Sequence, residues 1–113
     1  MSKININVYT NLNNIEDNND FLAIKKDNVI EYIDLENNKM VIDLDNDILI
    51  KENNDYCFNI DFRNEKINIK IKKLHRNMIK DIKTLNISRS KKKYSVKYLL
   101  TDDNIINEYY VNF

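Results

Sequence analysis

Polar and apolar residues alternate with a period of two along most of the chain. Ile4, Ile6 and Val8 alternate with Asn5, Asn7 and Tyr9; Tyr56, Phe58, Ile60 and Phe62 with Cys57, Asn59 and Asp61; Ile67, Ile69 and Ile71 with Asn68, Lys70 and Lys72. Tyr94, Val96, Tyr98 and Leu100 repeat the pattern, as do Tyr109, Val111 and Phe113. Successive side chains of a β-strand point to opposite faces, so each run predicts a strand with one side toward a core and the other toward water. In the segment around residues 29–35 the reading places Val29, Ile33 and Leu35 on one face, with Glu31 as a polar interruption.

The runs are separated by short stretches rich in Asn and Asp, among them Lys26-Asp27-Asn28, Glu36-Asn37-Asn38, Asp45-Asn46-Asp47, Asn53-Asn54-Asp55 and Thr101-Asp102-Asp103-Asn104. Tight hairpins need residues at positive φ, and Asn and Asp tolerate that region best after Gly. The chain has 21 Asn and no Gly or Pro, so Asn and Asp are expected to make its corners. Turn signals recurring about every 8–12 residues predict an antiparallel meander closed into a barrel or folded as a sandwich. Two segments break the pattern. Asn11–Asp20 reads as a long polar first loop. Leu74, Met78, Ile82 and Leu85 are spaced as a helical stripe, yet Met78–Ile87 also reads as a strand with Lys83, Leu85 and Ile87 in step; the two readings stay open.

Length and composition narrow the class. A chain of 113 residues is one domain's worth, expected to bury roughly 65% of its unfolded surface. One Cys excludes an intramolecular disulfide, and the lack of Gly excludes a P-loop or dinucleotide-binding fingerprint. No apolar run approaches the ~18 residues of a membrane helix, and Met1-Ser2-Lys3-Ile4-Asn5 opens no secretory h-region, which predicts a cytoplasmic protein without a membrane partner. Net charge is zero but divided: residues 1–62 carry 5 Lys against 13 acids, and residues 63–113 carry 13 basic side chains against 5 acids. Two readings follow. Acidic early strands can pair with basic late ones. Alternatively Lys70, Lys72, Arg89, Lys91, Lys92, Lys93 and Lys97 form a basic surface for RNA or an acidic protein.

Catalytic and metal chemistry find little support. Asp43, Asp45 and Asp47 resemble the start of a Ca²⁺ loop, but the positions that require Gly and a bidentate Glu hold Ile48 and Asn54. His75 is the single histidine and Cys57 the single cysteine, with no third ligand or oxyanion-stabilising Gly turn nearby. Glu31 is the one acid read onto an apolar face, where it would meet a ligand if that face were internal. The expectation is therefore no catalytic residue, no metal and no cofactor.

The order Ile48-Leu49-Ile50-Lys51-Glu52 leading to Tyr56 and Phe58, then Ile67-Asn68-Ile69-Lys70-Ile71, Lys83-Thr84-Leu85-Asn86-Ile87 and Tyr94-Ser95-Val96-Lys97-Tyr98, resembles the DUF1934 family of small bacterial proteins. The resemblance covers roughly residues 28–113 and implies a calycin- or lipocalin-like β-barrel, with Met78–Ile87 as a strand; no activity comes with it. The expected fold is thus all-β: one antiparallel barrel of about eight to ten strands over residues 1–113. A barrel of this size fills its interior with side chains or holds one small ligand. The second case predicts a non-enzymatic binding domain with an apolar ligand lined by Tyr32, Phe58, Ile60, Ile69, Tyr98 and Tyr109.

Overall fold

A computed structural model describes residues 2–113. It is all-β, with ten strands: β1 (Ser2–Leu12), β2 (Ile15–Lys26), β3 (Val29–Ile33), β4 (Lys39–Asp43), β5 (Ile48–Glu52), β6 (Tyr56–Asp61), β7 (Lys66–Ile71), β8 (Arg76–Arg89), β9 (Lys93–Leu100) and β10 (Ile105–Asn112). Each strand pairs antiparallel with the next, and β1 pairs with β10 from Asn7↔Asn112 to Asn11↔Glu108, which closes the barrel. Among the described residues no helix is long and apolar enough to cross a membrane.

The corners use the residues that the composition offers. Positive φ occurs at Asn13, Asn14, Asp27, Asn37, Asp47 and Asn104, and also at Glu65 and His75. Asn13 and Asn14 lie in succession at 53° and 64°, as a two-residue type I′ hairpin requires. Here the expectation of a loop over Asn11–Asp20 is corrected. The segment is the end of β1, a tight turn and half of β2, paired from Thr10↔Asp17 to Leu12↔Ile15. Its polar residues pair along the ladder and meet water on the outer face, so polarity alone was no sign of a loop.

Two further corrections concern phase. In β3 the inward side chains are Ile30 and Tyr32, while Glu31 and Ile33 are exposed, as is Leu35 in the loop beyond. Both faces of this strand are apolar, and Glu31 decides between them because an unpaired carboxylate is costly to bury. The segment with mixed periodicity is strand β8. Met78 and Ile82 are four apart, a spacing shared by a helix turn and by one face of a strand. A β-bulge between Thr84 and Asn86 turns Leu85 outward and lets Ile82 and Ile87, an odd number of positions apart, both reach the core. Glu65 supports the bulge: its carboxylate accepts from the Thr84 N–H at 3.0 Å, and its carbonyl from the Ile82 N–H at 3.1 Å.

The barrel has two unlike ends. At the base, Ile30, Ile42, Phe62, Tyr94 and Val111 are fully buried and fill the interior. Asp47 closes this end. It is 2% exposed and accepts from Arg63 Nε at 2.9 Å, from Arg89 Nη2 and from the Tyr94 hydroxyl at 3.1 Å. The acidic triplet of the sequence is thus occupied in turn-making: Asp47 binds two guanidiniums, and Asp43 accepts from Asp45 N–H and from the backbone and side chain of Asn46. At the other end, the mouth, five turns gather, from Asn13-Asn14 to Thr101–Asn104.

Candidate ligand-binding cavity

Below the mouth the inward side chains leave a cavity of about 440 Å³. Ligand pockets in proteins usually occupy about 300–1,000 Å³. Period two explains why its walls are apolar: β1 offers Val8, β4 Met40, β5 Leu49, β6 Phe58 and Ile60, and β7 Ile67. Five of the six residues expected to line a pocket do so: Tyr32, Phe58, Ile60, Tyr98 and Tyr109. Ile69 is half-buried and packs against the core without lining the cavity.

The cavity opens to one side. β1 and β2 pair along their whole length, but β2 pairs with β3 only from Ile24↔Glu31 to Lys26↔Val29. Above that point β2 parts from its neighbour. Asp17, Asn19 and Phe21 stand on one side of the gap and Asp34, Leu35 and Glu36 on the other, and all six line the cavity.

A few polar groups interrupt the apolar wall. The hydroxyls of Tyr32 and Tyr109 share a hydrogen bond at 2.5 Å, and Phe21 packs on the Tyr32 ring at 4.9 Å. Burial pushes the Tyr32 hydroxyl up to about 12, and burial with the neighbouring Tyr32 pushes Tyr109 well above the ordinary tyrosine value. Both therefore stay protonated donors near neutral pH. Burial also raises Tyr98, against a hydrogen bond from Asn107. Asn107 in turn accepts from the Asn13 N–H at 3.0 Å, which ties the β1–β2 turn to the interior. Asn38 does the same for two other mouth loops. Buried at 1% exposure, it donates to Asp34 at 3.0 Å and accepts from Asn53 at 2.9 Å.

Lys51 is the cation of the wall. It follows Leu49 by two positions on β5, so it points inward, and it is half-buried. Among the described residues it has no ion-pair partner, whereas Lys66, Lys72, Lys80 and Lys97 each have one. Neither Lys51 nor Asn107 was singled out as a site residue from the sequence. The signal for Lys51 was its even spacing from Leu49.

Of the residues considered for polyanion contact, three are engaged in ion pairs. Lys72 pairs with Glu52 at 3.0 Å, Arg89 with Asp47, and Lys97 with Glu108 at 3.2 Å. Lys91, Lys92 and Lys93 are exposed at the base, while Lys70 is exposed on β7 toward the mouth. Glu31 is exposed on the outer face. Cys57 is half-buried on β6, its thiol pushed up by burial, and His75 sits in the β7–β8 turn at φ 47°. Compared with family models, with curated proteins and with solved structures, the chain matches none.

Proposed function

We propose that this is a non-enzymatic domain that holds a small apolar ligand inside its barrel, in a cytoplasmic, bacterial setting and within the calycin-like class that the DUF1934 resemblance implies. The observation that carries the reading is the cavity itself: about 440 Å³, walled by aliphatic and aromatic side chains, and entered through a gap in the β2–β3 ladder. A core meant only for stability packs to about 0.74 density and leaves few voids larger than a water molecule. An apolar void costs stability in proportion to its size, so a cavity this large fits a protein that regains that energy by binding. The protein's contribution is burial and shape, with a few hydrogen-bonding groups to orient the guest.

The test is titration with a neutral, environment-sensitive fluorophore such as Nile red, with thermal unfolding followed in parallel. Saturable fluorescence and a rise in Tm, both insensitive to salt, are expected. No binding at micromolar protein overturns the reading. Binding of polyuridylate that weakens steeply with salt would instead favour an RNA contact through the basic strands between Lys66 and Lys97, because counterion release sets such affinities.

A further inference from the structure

Among the polar groups that line the cavity are one cation, Lys51, and the hydrogen-bonded hydroxyls of Tyr32 and Tyr109. We infer that the guest of this barrel is an anionic amphiphile, a monocarboxylate on an apolar body, whose head is received by Lys51 and the Tyr32–Tyr109 pair. The inference rests on the cavity reading above and specifies its ligand.

Three observations carry it. First, Lys51 projects into the cavity and, among the described residues, has no ion-pair partner. An ammonium without an ion-pair partner in that place is an open position for an anion, since charge-assisted bonds are about twice as strong as neutral ones. Second, Tyr32 and Tyr109 share one hydrogen bond between two hydroxyls. One O–H donates to the other, and the second O–H remains available to an acceptor. Third, the register places these donors at one level. Tyr32 pairs with Met40, and Met40 with Lys51, so the three inward side chains form a row across β3, β4 and β5. Two inter-strand steps separate Tyr32 from Lys51, roughly 10 Å between backbones, a span that the inward reach of both side chains narrows. A carboxylate, with two oxygens and only acceptor capacity, matches such a pair of donors.

Three acids that line the cavity, Asp17, Asp34 and Glu36, oppose an anion, and Lys51 with the tyrosine hydroxyls must outweigh them. Asp34 accepts from Glu36 N–H, Asn38 N–H and the Asn38 side chain but keeps its charge, which acts on the Tyr32 and Tyr109 hydroxyls. Asp17 and Glu36 are exposed, where water and salt screen them. Their effect falls on the approach of an anion to the gap, which predicts entry that quickens as salt is added.

The experiment is displacement of Nile red by dodecanoate, dodecanol and dodecylamine, at a pH where the first is charged and below micelle-forming concentrations. Dodecanoate is expected to displace the probe about tenfold or more better than dodecanol. In Lys51→Met the ratio of acid to alcohol displacement, each referred to that variant's own probe affinity, should fall to about one; Lys51→Arg should keep the preference, and Lys51→Gln should fall between. Unchanged circular dichroism and a cooperative thermal transition establish that the variants fold. Equal displacement by acid and alcohol in the unsubstituted protein, or stronger displacement by the amine, overturns the head-group inference and leaves the apolar cavity standing. Persistence of the preference in both Lys51→Met and Lys51→Gln removes the assignment to Lys51. Failure of Nile red itself to bind overturns the cavity reading and this inference together.

Discussion

The base of the barrel offers the sharpest test of how the fold is held. Asp47 is buried in a turn at φ 55° and receives two guanidiniums and one phenolic hydroxyl. Asn has the same shape and the same tolerance for positive φ. Asp47→Asn therefore removes the charge while leaving the turn in place, and puts an N–H₂ where an acceptor stood. Hydrogen bonds to charged groups contribute about 1.5–3 kcal/mol each. Arg63 and Arg89 are 52% and 44% exposed, so water recovers much of what they lose, and about 1 kcal/mol for each is the discounted figure. The Tyr94 hydroxyl is buried and adds about 1 kcal/mol if it loses its acceptor. The expected loss is about 2–3 kcal/mol, a fall in Tm of roughly 8–15 °C for a domain of this size. Urea unfolding and calorimetry measure it. The cavity lies toward the opposite end, so probe affinity at low temperature should not change. A loss under about 0.5 kcal/mol would refute the claim that this network closes the base, and a loss of probe binding at full stability would refute the separation of the two ends.

Three further outcomes follow from the same structure. Tyr32 and Tyr109 hold their protons more tightly when folded than when unfolded, so their contribution is intact below about pH 10 and is lost as pH rises toward 12. For Tyr32 alone a rise from 10 to about 12 corresponds to roughly 3 kcal/mol; alkaline Tm curves and tyrosinate absorbance should show it, and Tyr32→Phe should flatten the Tm curve. Ile60→Phe places a ring against the cavity wall and should abolish Nile red binding while holding or raising stability by about 0.5–2 kcal/mol; retained affinity would mean that the probe binds elsewhere. His75→Gly relieves a non-glycine residue at φ 47° in an exposed turn and should stabilise by about 0.5–1 kcal/mol in urea; destabilisation would mean that the imidazole is held by something other than strain.

The strands were legible where one face was apolar and the other was not, as along Tyr94–Leu100 and Ile67–Ile71. The same alternation brought five of the six expected residues to the cavity. It failed where a single residue had to decide. At β3 both faces are apolar, and only Glu31 separates them. In β8 the bulge at Leu85 adds a residue that no period can represent, and Glu65, which braces it, is distant in sequence. The Asn13–Asn14 turn was hidden by the polar residues on either side, whose ladder partners lie on another strand. The cavity's polar elements were less legible still. Lys51 looks like any lysine in a lysine-rich chain until the register places it in one row with Tyr32, and Asn107 becomes a strut only when Asn13 is beside it.

The seam between β1 and β10 has a consequence for how the chain is made. On the ribosome β1 emerges first, yet one of its two partners begins at Ile105. At about 5–20 residues per second, that edge waits on the order of 5–20 s for its mate. Throughout the wait β1 has β2 as its one ladder partner, and its other edge stays unpaired. The long, fully paired β1–β2 hairpin suits this interval: it is the nursery of the fold, and nascent chains halted before Ile105 should be readily cleaved by protease, while those carried past Asn112 should resist.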